Sequence, residues 1–108
     1  MQSRDAVRTL AALAHDARLA VFKLLVEAGP RGLAAGAIAQ TLAIAPSALS
    51  FHLKELTQAG LLTAHPDGRR IRYAAHFGTM SELIAHLTAN CCGGADCVLT
   101  DTIAADCA

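Results

Sequence analysis

Apolar positions recur at helical spacing through the first half of the chain, and polar punctuation divides them into segments. Ser3 is placed to cap a first helix that runs through Leu10 and Leu13. Asp16 is placed to cap a second, whose Leu19, Val21, Phe22, Leu24, Leu25 and Val26 form a broad apolar face ending at Gly29 and Pro30. A third, shorter helix is predicted from about Leu33 to Leu42, with Ile38 and Leu42 facing inward. The turn Ala43-Ile44-Ala45 follows. Pro46 then stands where proline suits the first turn of a helix, and that helix continues to Ala59, before Gly60.

Beyond Gly60 the period changes from helical to alternating. Leu61 to His65 reads as a strand, Pro66-Asp67-Gly68-Arg69 as a turn and Arg70 to Tyr73 as the returning strand. A last helix is predicted from Phe77 to Asn90, with Thr79 and Glu82 spaced as a capping box. Helix, helix, helix, turn, helix, hairpin, helix is the order of a winged helix-turn-helix, a mainly α fold with one β-hairpin. The pattern divides into residues 1–90, a winged helix-turn-helix for DNA binding and dimerisation, and a cysteine-containing tail, 91–108.

Composition narrows the picture. At 108 residues the chain is one domain with a small core, which association would help to stabilise. Aromatics make up only 4% of it, which suits a helix-rich protein. Arg8, His15 and Asp16 interrupt the first apolar stretch, so no secretory signal or membrane span is expected and the expected compartment is the cytoplasm. Formal net charge is zero, but its distribution is uneven. Lys54, Arg69, Arg70 and Arg72 make the middle basic, whereas no Lys or Arg follows Tyr73. A polyanion should therefore meet the middle of the chain.

In the helix from Pro46, Leu49, Leu53 and Leu56 fall on one stripe and define the inward side. At about 100° per residue the opposite face centres on Phe51, with Ser47, Lys54 and Gln58 around it and Ser50 at its edge. A phenylalanine amid polar residues can pack on a thymine methyl in the major groove. Ser47, Ser50, Phe51 and Lys54 are therefore the expected DNA-reading residues, with His52 on the flank, packed inward or on a phosphate. Arg69, Arg70 and Arg72 would contact phosphate or the minor groove from the wing.

The last helix carries Phe77, Met80, Leu83, Ile84 and Leu87 on one stripe that Cys91 would continue. Apolar helices at both ends of a small domain suit a two-fold interface, so a homodimer through the first and last helices is expected. Cys91, Cys92 and Cys97 follow, and Gly93 and Gly94 are expected to stop the helix and let the chain fold back. Three thiolates aimed at one point suit a soft element that forms three sulfur bonds and keeps a lone pair, such as As(III) or Sb(III). Cys107 is a spare, or a substitute for Cys97.

The runs Ala14 to Leu19, Ser47 to Leu56 and Ala59 to Leu62 resemble the ArsR/SmtB family of metal-responsive repressors, over about residues 4 to 92. The resemblance implies a dimeric winged-helix repressor that leaves operator double-stranded DNA when a metal or metalloid binds. Many arsenic-sensing members carry two cysteines in the third helix, where this chain has Gly32 to Ile38 and no thiol. Members with a vicinal pair at the end of the last helix match Cys91 and Cys92. The expected function is an arsenite-responsive repressor with As(III), or Sb(III), as inducer and no organic cofactor.

Three alternatives stand beside it. A zinc-responsive repressor would draw on His76, Glu82 and His86, a sparse set for four ligands. A thiol redox switch would join Cys91 or Cys92 to Cys97. A cytosolic arsenic carrier would not bind DNA, which leaves the basic wing and exposed reading face without a role. No nucleophile–base constellation or phosphate loop points to an enzyme.

Overall fold

The computed structural model describes residues 1–94, so Cys97 and Cys107 lie outside the described residues. Helices α1 (Ser3–Leu13) and α2 (Asp16–Ala28) lead into a short strand β1 (Leu33–Ala34). Helices α3 (Ala35–Leu42) and α4 (Pro46–Gln58) precede the hairpin of β2 (Leu62–Asp67) and β3 (Arg70–Ala75). Helix α5 (Phe77–Leu87) follows, then a 3₁₀ turn, Cys91–Gly94. This is the expected winged helix-turn-helix, mainly α with one hairpin.

The core lies where α2, α3 and α4 meet the base of the hairpin. Val21, Leu25, Ile38, Leu49, Leu56 and Leu61 are its largest fully buried side chains. Each contributes about 1.5–3 kcal/mol of apolar burial. Leu49, Leu53 and Leu56 come inward from α4 as the stripe requires. They hold α4 against α2 and α3 and leave its other side to solvent.

The third helix begins two residues later than expected. Leu33 and Ala34 are instead a strand pairing antiparallel with Tyr73 and Arg72, giving the sheet order β1-β3-β2. Gly32, at φ 65°, makes this approach possible, because a Cβ there would overlap the Tyr73 carbonyl. The hairpin is also longer and its loop tighter than expected. Pro66 and Asp67 belong to β2, and the loop is Gly68 and Arg69, with Gly68 at φ 64°. Pro66 is tolerated because β2 is an edge strand.

Three helix caps differ from the expected ones, although α5 begins at Phe77 as expected. Gln2, not Ser3, caps α1, and its own N–H donates to Asp5 Oδ2 at 3.2 Å. His15 caps α2, its Nδ1 accepting from the Ala17 N–H at 3.1 Å, so Asp16 is the first helical residue. His76 caps α5, with Nδ1 accepting from the Thr79 N–H at 2.9 Å, in place of the Thr79–Glu82 box.

At the other end, α5 stops at Leu87 rather than Asn90. The Thr88 hydroxyl donates to the Ile84 carbonyl at 2.7 Å, and Asn90 takes a left-handed φ of 56° that ends helical propagation. The helix has therefore closed before Gly93 and Gly94, and Cys91 does not extend its stripe. No helix among the described residues is long and apolar enough to cross a membrane.

Candidate nucleic-acid interface and cysteine turn

The helix-turn-helix unit is built from α3 and α4. Ala43 closes α3 in the left-handed region at φ 53°, its N–H donating to the Ala39 carbonyl. The Ile44 N–H reaches the same carbonyl at 3.0 Å. This double use turns the chain within three residues, and Pro46 restarts it as α4. Ser47, Ser50, Phe51, Lys54 and Gln58 are all exposed on α4. Phe51 is 53% exposed, an apolar ring left in water at the centre of a polar face.

His52 does not share that surface. It is 9% exposed and lies on the leucine side of α4. Its Nδ1 accepts from Arg18 Nε at 3.2 Å, and its ring lies 4.7 Å from that of His15. Burial, then the charges of His15 and Arg18, lower its pKa below the usual 6.5. The neutral acceptor that Arg18 requires is thus the favoured form near neutral pH. The alternative of a direct phosphate contact gives way to an inward, packed role, because the residue falls between Leu49 and Leu56 on the helix.

The wing arginines divide in the same way. Arg69 and Arg70 are exposed at the hairpin end. Arg72 is half-buried and engaged within the fold: its Nη1 donates to the Arg31 carbonyl at 3.0 Å and its Nε lies 3.4 Å from Asp67 Oδ2. It fastens the approach to β1 onto the hairpin, while Arg69 and Arg70 remain available to a ligand.

Cys91 and Cys92 sit in the 3₁₀ turn with their sulfurs 3.7 Å apart, Cys91 half-buried and Cys92 exposed. Cys92 has a left-handed φ of 57°, and Gly93 follows at 66°. Adjacent side chains diverge in a continuing helix; this backbone reversal is what brings the two sulfurs together. The expected third ligand, Cys97, lies outside the described residues. Among the described residues no group of three His, Cys, Asp or Glu side chains is placed to hold a metal. His76, Glu82 and His86 are therefore not assembled as a zinc site there. His76 caps α5, and His86 Nε2 is hydrogen-bonded to Ser3 Oγ at 3.3 Å, tying the end of α5 to the start of α1.

Sequence reasoning passed over Arg18. It belongs to the Ala14–Leu19 run, yet nothing in the spacing marks a partner 34 positions away. In the fold its guanidinium carbon lies 5.4 Å from the centre of the Phe51 ring.

The arrangement has known counterparts. A family profile described as a helix-turn-helix domain matches residues 13–65. The HTH-type transcriptional regulator YgaV of Escherichia coli (strain K12) is 29% identical over 85 residues, 79% of this chain and 84% of that protein. An ArsR-like transcriptional regulator from Rhodococcus sp. RHA1 superposes with a TM-score of 0.70 at 26% identity, covering 78% of this chain and 76% of that one. The homodimeric winged helix-turn-helix DNA-binding domain of a possible ArsR-family regulator from Mycobacterium bovis superposes at 0.65 with 27% identity, covering 79% and 76%. With the winged fold, the turn between α3 and α4 and the outward face of α4 in place, the chain has a winged helix of the ArsR/SmtB type and is similar to helix-turn-helix transcriptional regulators.

Proposed function

We propose that the chain is an arsenite-responsive repressor that binds operator double-stranded DNA as a homodimer and releases it when As(III) or Sb(III) binds its cysteines. Ser47, Ser50, Phe51 and Lys54 enter the major groove, and Arg69 and Arg70 reach the backbone from the wing. The observation that carries the sensing half is the pair of sulfurs 3.7 Å apart on a reversed turn just beyond α5. Soft, closely set sulfur donors fit a thiophilic metalloid. Cys97 supplies the third donor. Binding exchanges three hydroxyls of arsenite for three cysteine sulfurs, and each thiol's proton leaves with a hydroxyl as water.

The dimer half rests on exposed apolar side chains at both ends of the chain. Val7 and Leu10 on α1, and Ile84 and Leu87 on α5, are 66%, 43%, 54% and 60% exposed. The two helices are neighbours in the fold, joined by the Ser3–His86 hydrogen bond, so these side chains suit one interface. The Mycobacterium bovis domain is described as homodimeric. A ligand at the end of α5 would then act on the spacing of two α4 helices. A hundredfold loss of DNA affinity needs about 2.7 kcal/mol of coupling, a small share of three arsenic–sulfur bonds.

The test is fluorescence anisotropy under reducing conditions, using a duplex that the wild-type chain selects from a random pool. Titration with arsenite should release the DNA. Retention through saturating arsenite would overturn the assignment. Release by zinc alone or by peroxide alone would move it to a zinc or redox sensor, and no DNA binding at all would favour a carrier. Serine at Cys91, Cys92 or Cys97 should abolish release and leave DNA affinity nearly unchanged; the same effect from Cys107→Ser would reassign the third ligand.

A further inference from the structure

One cation beside the centre of the reading face does not belong to the reading helix. Arg18 projects from α2, and two contacts hold it. Its Nε donates to His52 Nδ1 at 3.2 Å, and its guanidinium lies over the Phe51 ring at 5.4 Å, within cation–π range. Phe51 is the ring most exposed to an incoming groove, so whatever meets Phe51 also meets Arg18.

A guanidinium has five N–H donors in a rigid plane. His52 takes one, and among the described residues no hydrogen bond uses the other four. Nor does a carboxylate neutralise it: the single ion pair among the described residues is Arg72 with Asp67. Arg18 is half-buried and borders an open groove with Arg8, Glu55 and Gln58, so part of the residue is open to solvent. A charged plane held on two sides, with unspent donors at the rim of a base-reading face, has the chemistry of a phosphate contact.

We infer that Arg18 grips a backbone phosphate at the edge of the major groove while Phe51 enters it, and that His52 is the positioning residue that holds the guanidinium there. This rests on the DNA reading by α4 proposed above. The competing role is purely structural, with Arg18 tying α2 to α4. The two roles differ in salt dependence, because only a phosphate contact releases a counterion.

Affinity for the selected duplex is measured by anisotropy between about 50 and 200 mM salt for the full chain and for Arg18→Gln, with thermal melting as a control for folding. One lost contact per subunit lowers the slope of log affinity against log salt by about 0.9, or about 1.8 for a dimer. The advantage of wild type over R18Q should therefore shrink about twelvefold across that fourfold range. Arg18→Lys, which keeps the charge, should retain nearly the wild-type slope with weaker binding. If glutamine compromises folding, Arg18→Met keeps an unbranched uncharged side chain and is read the same way. Parallel slopes for wild type and the uncharged variants would overturn the inference and leave the repressor assignment intact. Failure of the wild-type chain to bind any duplex would overturn both.

Discussion

Helices α4 and α5 are both amphipathic, yet one is completed within the chain and the other is not. On α4 every large apolar side chain but one is satisfied internally: Leu49, Leu53 and Leu56 are at most 2% exposed, and Phe51 alone of them stands outside. On α5 the stripe splits. Phe77 and Met80 pack on the core and Leu83 is buried, whereas Ile84 and Leu87 are exposed. The difference teaches where each helix finds its partner. The outward face of α4 is polar apart from one ring, which suits a charged, grooved ligand. The outer end of α5 and the adjoining part of α1 are apolar, which suits a second protein surface.

The comparison can be tested in order of expected effect. Leu56→Ala should open a cavity under α4 and lower unfolding free energy by about 2–5 kcal/mol, read from urea denaturation. A loss below about 1 kcal/mol would mean that α4 is not anchored as described. Replacing Ile84 and Leu87 together by serine should shift the chain from dimer to monomer in analytical ultracentrifugation at micromolar concentration. A monomeric wild type, or an unchanged dimer in the double variant, would place the interface elsewhere.

A smaller effect is expected at Phe51. Phe51→Ala should weaken DNA binding about tenfold, roughly 1.4 kcal/mol, and leave the melting temperature within about 2 °C, because the ring is exposed. A large drop in melting temperature would show that the ring belongs to the core after all.

The mildest prediction concerns His52, whose folded pKa lies below its unfolded value. Between the two values the unfolded chain binds more protons, so stability rises with pH there. The contribution is fully present above about 6.5 and is lost as pH falls through that value toward the lower folded one. His52→Asn keeps an acceptor for Arg18 without titrating, so its melting temperature should vary less with pH over that window. Identical pH profiles for the two proteins would remove His52 from the account.

The same contrast explains which features were legible beforehand. The α4 stripe and the isolation of Phe51 follow from helical periodicity, which depends on nearby residues alone. The hairpin followed from a change of period and a turn sequence, although its loop proved to be Gly68 and Arg69. The caps were missed because His15 and His76 compete with better-known capping residues through geometry that a sequence does not carry. Strand β1 was missed because two residues have no period, and their pairing with Tyr73 and Arg72 depends on contact across 40 positions.

The candidate sites divide along the same line. The presence of a vicinal cysteine pair after the last apolar helix was determined by sequence alone, as was the basic middle of the chain. Tertiary structure decided that α5 closes at Leu87, that a left-handed turn sets the Cys91 and Cys92 sulfurs 3.7 Å apart, and that His52 turns inward to hold Arg18 beside Phe51. Periodicity and composition are properties of neighbours along the chain. A hydrogen bond between α2 and α4 exists only after the core has brought the two helices together.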